Sequence, residues 1–185
     1  MAFRFSRFGK IAAVCMLVAL PTESLHAAID VCEPDRLGDI DNAAGSLTSV
    51  EKLIPLVPPE ESAYLEAEYA AAKDADSSKR LAALMQRPSF HAWRLHVQFA
   101  STMEKIKYVQ RLPKDAGIKS HIQAALSIDY ELSEATGAWR EYVSADEENI
   151  LNGVQIKNGS YLMAYTFAQV DHYMWCWANL IDDKK

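Results

Sequence analysis

The sequence predicts an all-α domain, a single antiparallel helical bundle with short helices in its first half and three long ones in its second. Two observations carry this reading. Pro34, Pro55, Pro58, Pro59, Pro88 and Pro113 interrupt the first two thirds of the chain, and no proline follows Pro113. Proline lacks the N–H that a helix interior needs, so the early helices must be short while the later ones can run on. Strand signals are almost missing: no run of alternating β-branched residues occurs, and Asn158-Gly159 precedes a helical pattern, where it reads as a turn.

The elements follow in order. Residues 1–27 open with Arg4, Arg7 and Lys10, continue into the apolar run IAAVCMLVAL and end on the small residue Ala27, with Ala28 next. That order is expected of a secretory signal cleaved after Ala27. The apolar run, about ten residues, is well short of the ~20 that a membrane span needs. The mature chain is then residues 28–185, one helical domain in the periplasm or outside the cell. In it Leu37, Ile40, Ala44, Leu47, Val50 and Ile54 step by three and four into a first amphipathic helix ending at Pro55. Pro59, Glu60 and Glu61 place a proline and two acids at the start of a second, where the helix dipole favours them. A short helix over SSKRLAALMQ stops before Pro88.

Three long helices are expected over residues 89–112, 115–145 and 160–182. The middle one carries a heptad of Ile118, Ile122, Ala125, Asp129, Leu132, Thr136, Trp139 and Val143, with Gly137 as a place to bend. The last is expected to start at Ser160 as N-cap. It carries two stripes. Met163, Phe167, Val170, Met174, Trp177 and Ile181 lie on one side, and Tyr161, Tyr165, Ala168, His172, Trp175 and Cys176 on the other. The first stripe must face the core. The second is either a further core face or an exposed surface for a partner or pocket, with Tyr161, Tyr165, His172 and Trp175 as its candidate residues. Gln169, Asp171 and His172 at its middle argue against a membrane span, where charge is most costly.

Composition narrows the function classes. The full chain has a formal charge of −6, and loss of Arg4, Arg7, Lys10 and Glu23 with the signal takes it to −8. Such a balance repels nucleic acid and anionic lipid and favours basic protein partners. The basic group Lys105, Lys107, Arg111, Lys114 and Lys119 has only Tyr108 and Gly117 between its cations, not the interleaved aromatics and glycines of a nucleic-acid surface, so it too is not expected to be one. Cys32 and Cys176 are the two cysteines left after cleavage, and in an exported protein they are expected to form a disulfide. The closed loop spans nearly the whole domain, for which chain entropy alone suggests about 5 kcal/mol.

Motifs for chemistry are not assembled. None of His91, His96, His121 and His172 has glutamate three residues before it, no His-Glu-x-x-His occurs, and no serine sits in a Gly-x-Ser-x-Gly elbow. No catalytic residue, metal ligand or cofactor is therefore assigned. Asp129 interrupts an apolar seam, and a buried carboxylate needs a partner. A buried polar cluster of Asp129, Asp171 and Arg94 is expected, with Arg94 or His172 pairing Asp129. The leading expectation is an exported, non-enzymatic binding domain, an inhibitor or immunity-type protein capturing a basic hydrolase or toxin. One alternative is a small-molecule carrier with an aromatic-lined cavity against the last helix. Another is an enzyme whose site is built around His172 from Asp171, Asp129 and His91 or His96.

Overall fold

The computed structural model describes residues 37–72, 77–145 and 151–179, which belong to one compact unit, residues 33–185. The expected signal segment and Cys32 lie outside the described residues. Among the described residues there are six α-helices and no strand: α1 Leu37–Glu51, α2 Pro59–Ala72, α3 Ser77–Met85, α4 Pro88–Arg111, α5 Ile118–Ala145 and α6 Gly153–Asn179. The all-α bundle with short early and long late helices is the fold observed.

Four helices enclose the core. α1 packs on α4 and α6, and α5 packs on the same two from the other side. Neighbours run antiparallel. Asp39 near the start of α1 meets His172 near the end of α6, Gln110 near the end of α4 reaches back to Asp41, and His121 and Trp139 of α5 meet Tyr173 and Ser160 of α6. Ile40, Leu47 and Val50 of α1, Leu95, Phe99 and Ile106 of α4, Ile128 and Leu132 of α5, and Val170 and Tyr173 of α6 fill the interior. Each large aliphatic among them removes about 1.5–3 kcal/mol worth of apolar surface from water.

The α2–α3 hairpin is a smaller layer on the first turns of α4. Leu65, Leu84, Phe90 and Trp93 form its own buried cluster, with Tyr69 packed edge-on to Trp93 at 5.7 Å. Pro88 takes the first helical position of α4, where its missing N–H costs nothing. The α4–α5 turn closes on Gly117, whose φ of +84° only glycine adopts freely.

Two sequence expectations shift. α6 begins at Gly153, seven residues before Ser160. Asn152 is its cap: its Oδ1 accepts from the backbone N–H groups of Val154 and Gln155, and Gln155 Oε1 accepts from the Asn152 N–H. This reciprocal box satisfies the orphan donors of the first turn. Asn158-Gly159 is accordingly helical, and Gly159 is required for a different reason: a Cβ there would overlap the indole of Trp139. Ser160 accepts a hydrogen bond from Trp139 Nε1 at 3.1 Å instead of capping.

The buried seam of α5 is the second shift. It runs through His121, Ala125, Ile128, Leu132, Ala135, Trp139 and Tyr142, one position off the expected register at every other step. Asp129 is therefore half-buried beside the seam rather than in it.

Candidate functional site

The second stripe of α6 faces solvent. Tyr161 is 69% exposed and Tyr165 and Trp175 are 37% exposed, whereas Met163, Val170 and Tyr173 across the helix are buried. Helical spacing brings the aromatics into register. Tyr161 and Tyr165 are one turn apart with rings 6.5 Å from centre to centre and 16° from parallel, and His172 lies 6.1 Å from Trp175 at 19°. From Tyr161 to Trp175 the row extends about 21 Å at 1.5 Å per residue. Ala164 and Ala168, small and exposed, leave the ring faces between them open. Cys176, grouped with this stripe by the sequence, is buried.

His172 is held from one side. Its Nδ1 lies 2.9 Å from Asp39 Oδ2, and a carboxylate can only accept, so Nδ1 carries the proton. Nε2 then points its lone pair toward Cys176 Sγ, 3.7 Å away. Asp39, His172 and Cys176 thus form a row that ends on a buried sulfur. This hydrogen bond ties the start of α1 to the end of α6.

Of the expected polar cluster, Asp129 and Asp171 stay together and Arg94 does not join them. Arg94 pairs with Glu141 across the α4–α5 contact, and His172 pairs with Asp39, so neither is the partner of Asp129. Asp129 instead faces Asp171. Partial burial, and then repulsion from Asp129, raises the Asp171 carboxyl above its ordinary value of 3.8. A raised value means that folding disfavours the ionised acid: the penalty is present above the folded pKa and vanishes below about pH 3.8. Asp171→Asn should accordingly raise the urea midpoint at pH 7 and leave it unchanged at pH 3. An equal shift at both pH values would refute the repulsion.

The other histidines do not join His172. His91 Nε2 meets the carbonyl of Met85 at 2.6 Å, and His96 Nε2 meets that of Pro55 at 3.1 Å with Glu51 beside it. Both lie at the opposite end of the bundle. Among the described residues no three histidine, cysteine or acidic side chains converge as metal ligands, and no helix is long and apolar enough to cross a membrane.

Two features went unmarked by the sequence. His121 is buried between Trp177, which stacks on it at 3.7 Å and 3°, and Tyr173, whose OH lies 2.7 Å from Nδ1. Its Nε2 donates to the carbonyl of Pro113 at 3.2 Å, so Nδ1 accepts from the tyrosine. Burial lowers the His121 pKa below 6.5, against the pull of hydrogen bonds to Pro113 and Lys114. Burial also pushes the Tyr173 phenol up to about 12. Both groups are thus neutral, a structural clamp rather than an acid–base pair. The second feature is a cavity of about 190 Å³ at the other end of the bundle, lined by the α1–α2 connection, the first turns of α2 and α4 and the end of α5. None of the lining residues of this cavity belongs to α6, whose aromatic stripe turns outward.

The basic residues Lys105, Lys107, Arg111, Lys114 and Lys119 flank the α4–α5 turn, as expected of a helix C-terminus and its hairpin. The sequence also carries an acidic run, Asp146, Glu147 and Glu148, which lies outside the described residues. No protein-family model, no curated protein and no solved structure matches this chain.

Proposed function

We propose that this protein is an exported, non-enzymatic binding domain that captures a basic protein, as an inhibitor or immunity-type protein captures a hydrolase or toxin, and that its capture surface is the outer stripe of α6. The observation that carries the reading is the exposure of Tyr161, Tyr165 and Trp175 in one row on a long, well-packed helix. Tyrosine and tryptophan supply large contact area with few rotors to freeze, which is why they dominate binding hot spots. Asp171, exposed one turn before Trp175, places a negative charge beside the rings. The net charge, −6 for the full chain and −8 once the signal is lost, adds long-range attraction for a basic partner, with an association rate that falls as salt rises.

The export signal over residues 1–27 and the Cys32–Cys176 bridge belong to the same reading. They are supported by the order of charged, apolar and small residues and by the cysteine count. Intact mass of the secreted chain, with and without reductant, checks both at once.

The test is capture from the source's own exported fraction, with wild type and a Tyr161→Ser/Trp175→Ser variant side by side. One basic protein should be enriched by wild type and recovered at least about tenfold less with the variant, while the helical circular dichroism stays the same. Equal recovery of the same protein by both would remove the stripe from the interface. Loss of capture at high salt without loss in the variant would leave charge alone as the attraction.

A further inference from the structure

We infer that the cavity at the proline-rich end of the bundle binds a small amphiphilic amine, an aryl or compact alkyl body with one ammonium group directed at Glu61. This site is separate from the α6 stripe and does not depend on it.

Size sets the first limit. At about 190 Å³ the cavity holds a body somewhat larger than a single benzene ring. Apolar protein cavities of about 150 Å³ take up benzene-sized ligands. Acyl chains of membrane lipids and most cofactors are too large for it. Lining sets the second limit: beside the polar Glu61, Ser89 and Tyr142 it is carbon surface from Pro55, Val57, Pro58 and Ala92, which offers too few partners for the many hydroxyls of a sugar and no cation for the phosphates of a nucleotide.

The walls are held open from outside. Proline fixes φ at Pro55, Pro58, Pro59 and Pro88, so the connection between α1 and α2 has little freedom to fall inward. His96 Nε2 lies 3.1 Å from the Pro55 carbonyl, and the Ser62 N–H donates to the Pro58 carbonyl at 2.8 Å. Both ends of the Leu56-Val57 strap are thereby fastened, one to α4 and one to α2. A pre-formed apolar cavity loses little order on binding, which favours small ligands that cannot supply much contact energy.

Charge selects the head group. Glu61 is the one ionisable carboxylate among the described lining residues, and no cation of the described residues pairs with it. The helix dipole explains why an acid suits the first turn of α2. It does not explain why the remaining lining carries no balancing cation. A carboxylate at the mouth of an apolar chamber attracts an ammonium and repels a carboxylic acid of the same shape.

The experiment uses ¹⁹F NMR on the intact mature protein with three probes of one shape: 4-fluorophenethylamine, 4-fluorophenethyl alcohol and 4-fluorophenylacetate. The amine should bind tightest, the alcohol about three- to fivefold more weakly, as one partly exposed ion pair allows, and the acid more weakly still. Glu61→Gln should bring the amine level with the alcohol. Ser89→Phe, on the first turn of α4, should fill the chamber and abolish binding of all three, with Ala145→Leu as the second filling variant should Ser89→Phe melt early. Trp175→Ser should leave amine binding untouched, which separates this site from the α6 surface. Absence of amine binding at millimolar concentration, equal binding of amine and acid, or binding that survives a well-folded filling variant would each overturn the assignment.

Discussion

Gly159→Ala should destabilise the bundle by about 1–3 kcal/mol net, although it removes a glycine from the interior of a 27-residue helix. Elsewhere in a helix the same change stabilises by about 0.5–1 kcal/mol, because alanine has less backbone freedom to lose. Gly137 in α5 is such a position, since a Cβ there meets nothing within 4 Å. At Gly159 the new methyl overlaps Cζ2 and Cη2 of the Trp139 indole. The ring cannot turn aside cheaply. It is buried, its Nε1 donates to Ser160 one residue on, and Tyr142 packs against it at 6.2 Å. Urea denaturation of Gly159→Ala and Gly137→Ala should therefore show midpoints moving in opposite directions. In a Trp139→Leu background, where the overlapping atoms are gone, Gly159→Ala should turn neutral or stabilising. A Gly159→Ala midpoint at or above wild type would mean that α5 and α6 are not in close contact there.

The same glycine marks a limit of reading sequence. Asn-Gly is a strong turn signal, and nothing local distinguishes a glycine needed for a turn from one needed because another helix passes close by. The signal that could have corrected it was present in Asn152 and Gln155, the cap and its reciprocal partner three residues later. The first helix, the proline-started second and the limits of α4 were legible because their breakers and apolar spacing agree. The α5 seam was misplaced by one position at alternate steps because a count started on Ile118 and Ile122 runs on through Asp129 and Thr136, whereas the buried His121 starts the phase that takes in Ile128 and Ala135. A histidine becomes a core residue when both its nitrogens are satisfied, and its two partners, Pro113 and Tyr173, lie in the preceding turn and on another helix.

The candidate surface was half legible. Periodicity separates the two faces of α6 but cannot say which neighbours cover them, since that depends on the cyclic order of α1, α4, α5 and α6. With α1 and α5 flanking α6 on either side of the core, the outer stripe is left uncovered. Asp39, the acid that His172 meets, is 133 residues away in sequence, and no spacing rule reaches that far. The cavity was illegible for a related reason. Pro55, Pro58 and Pro88 signal where helices end, and only their arrangement in space makes them walls.

Acidification should weaken the fold through His121, and Tyr173→Phe should show how the residue is held. At pH 8 that variant leaves the Nδ1 lone pair of a buried imidazole without its donor, for which the expected cost is about 1–3 kcal/mol. The phenol itself, pushed up to about 12, takes no part in titration below that range. His121 does. Burial depresses its folded pKa below 6.5, so the unfolded chain binds the proton more readily than the folded one. Its contribution is fully present above about pH 6.5 and is lost as pH falls toward the depressed folded value. Protonation would also put an N–H on Nδ1, where the Tyr173 hydroxyl must then turn from donor to acceptor. The measurement is the urea midpoint from pH 8 to pH 5 for wild type, Tyr173→Phe and His121→Phe. Wild type should lose stability across the lower half of that range, and His121→Phe should lose less over the same interval whatever its stability at pH 8. A His121→Phe slope equal to that of wild type would assign the acid sensitivity to other groups, and a Tyr173→Phe midpoint unchanged at pH 8 would mean that water already serves the imidazole.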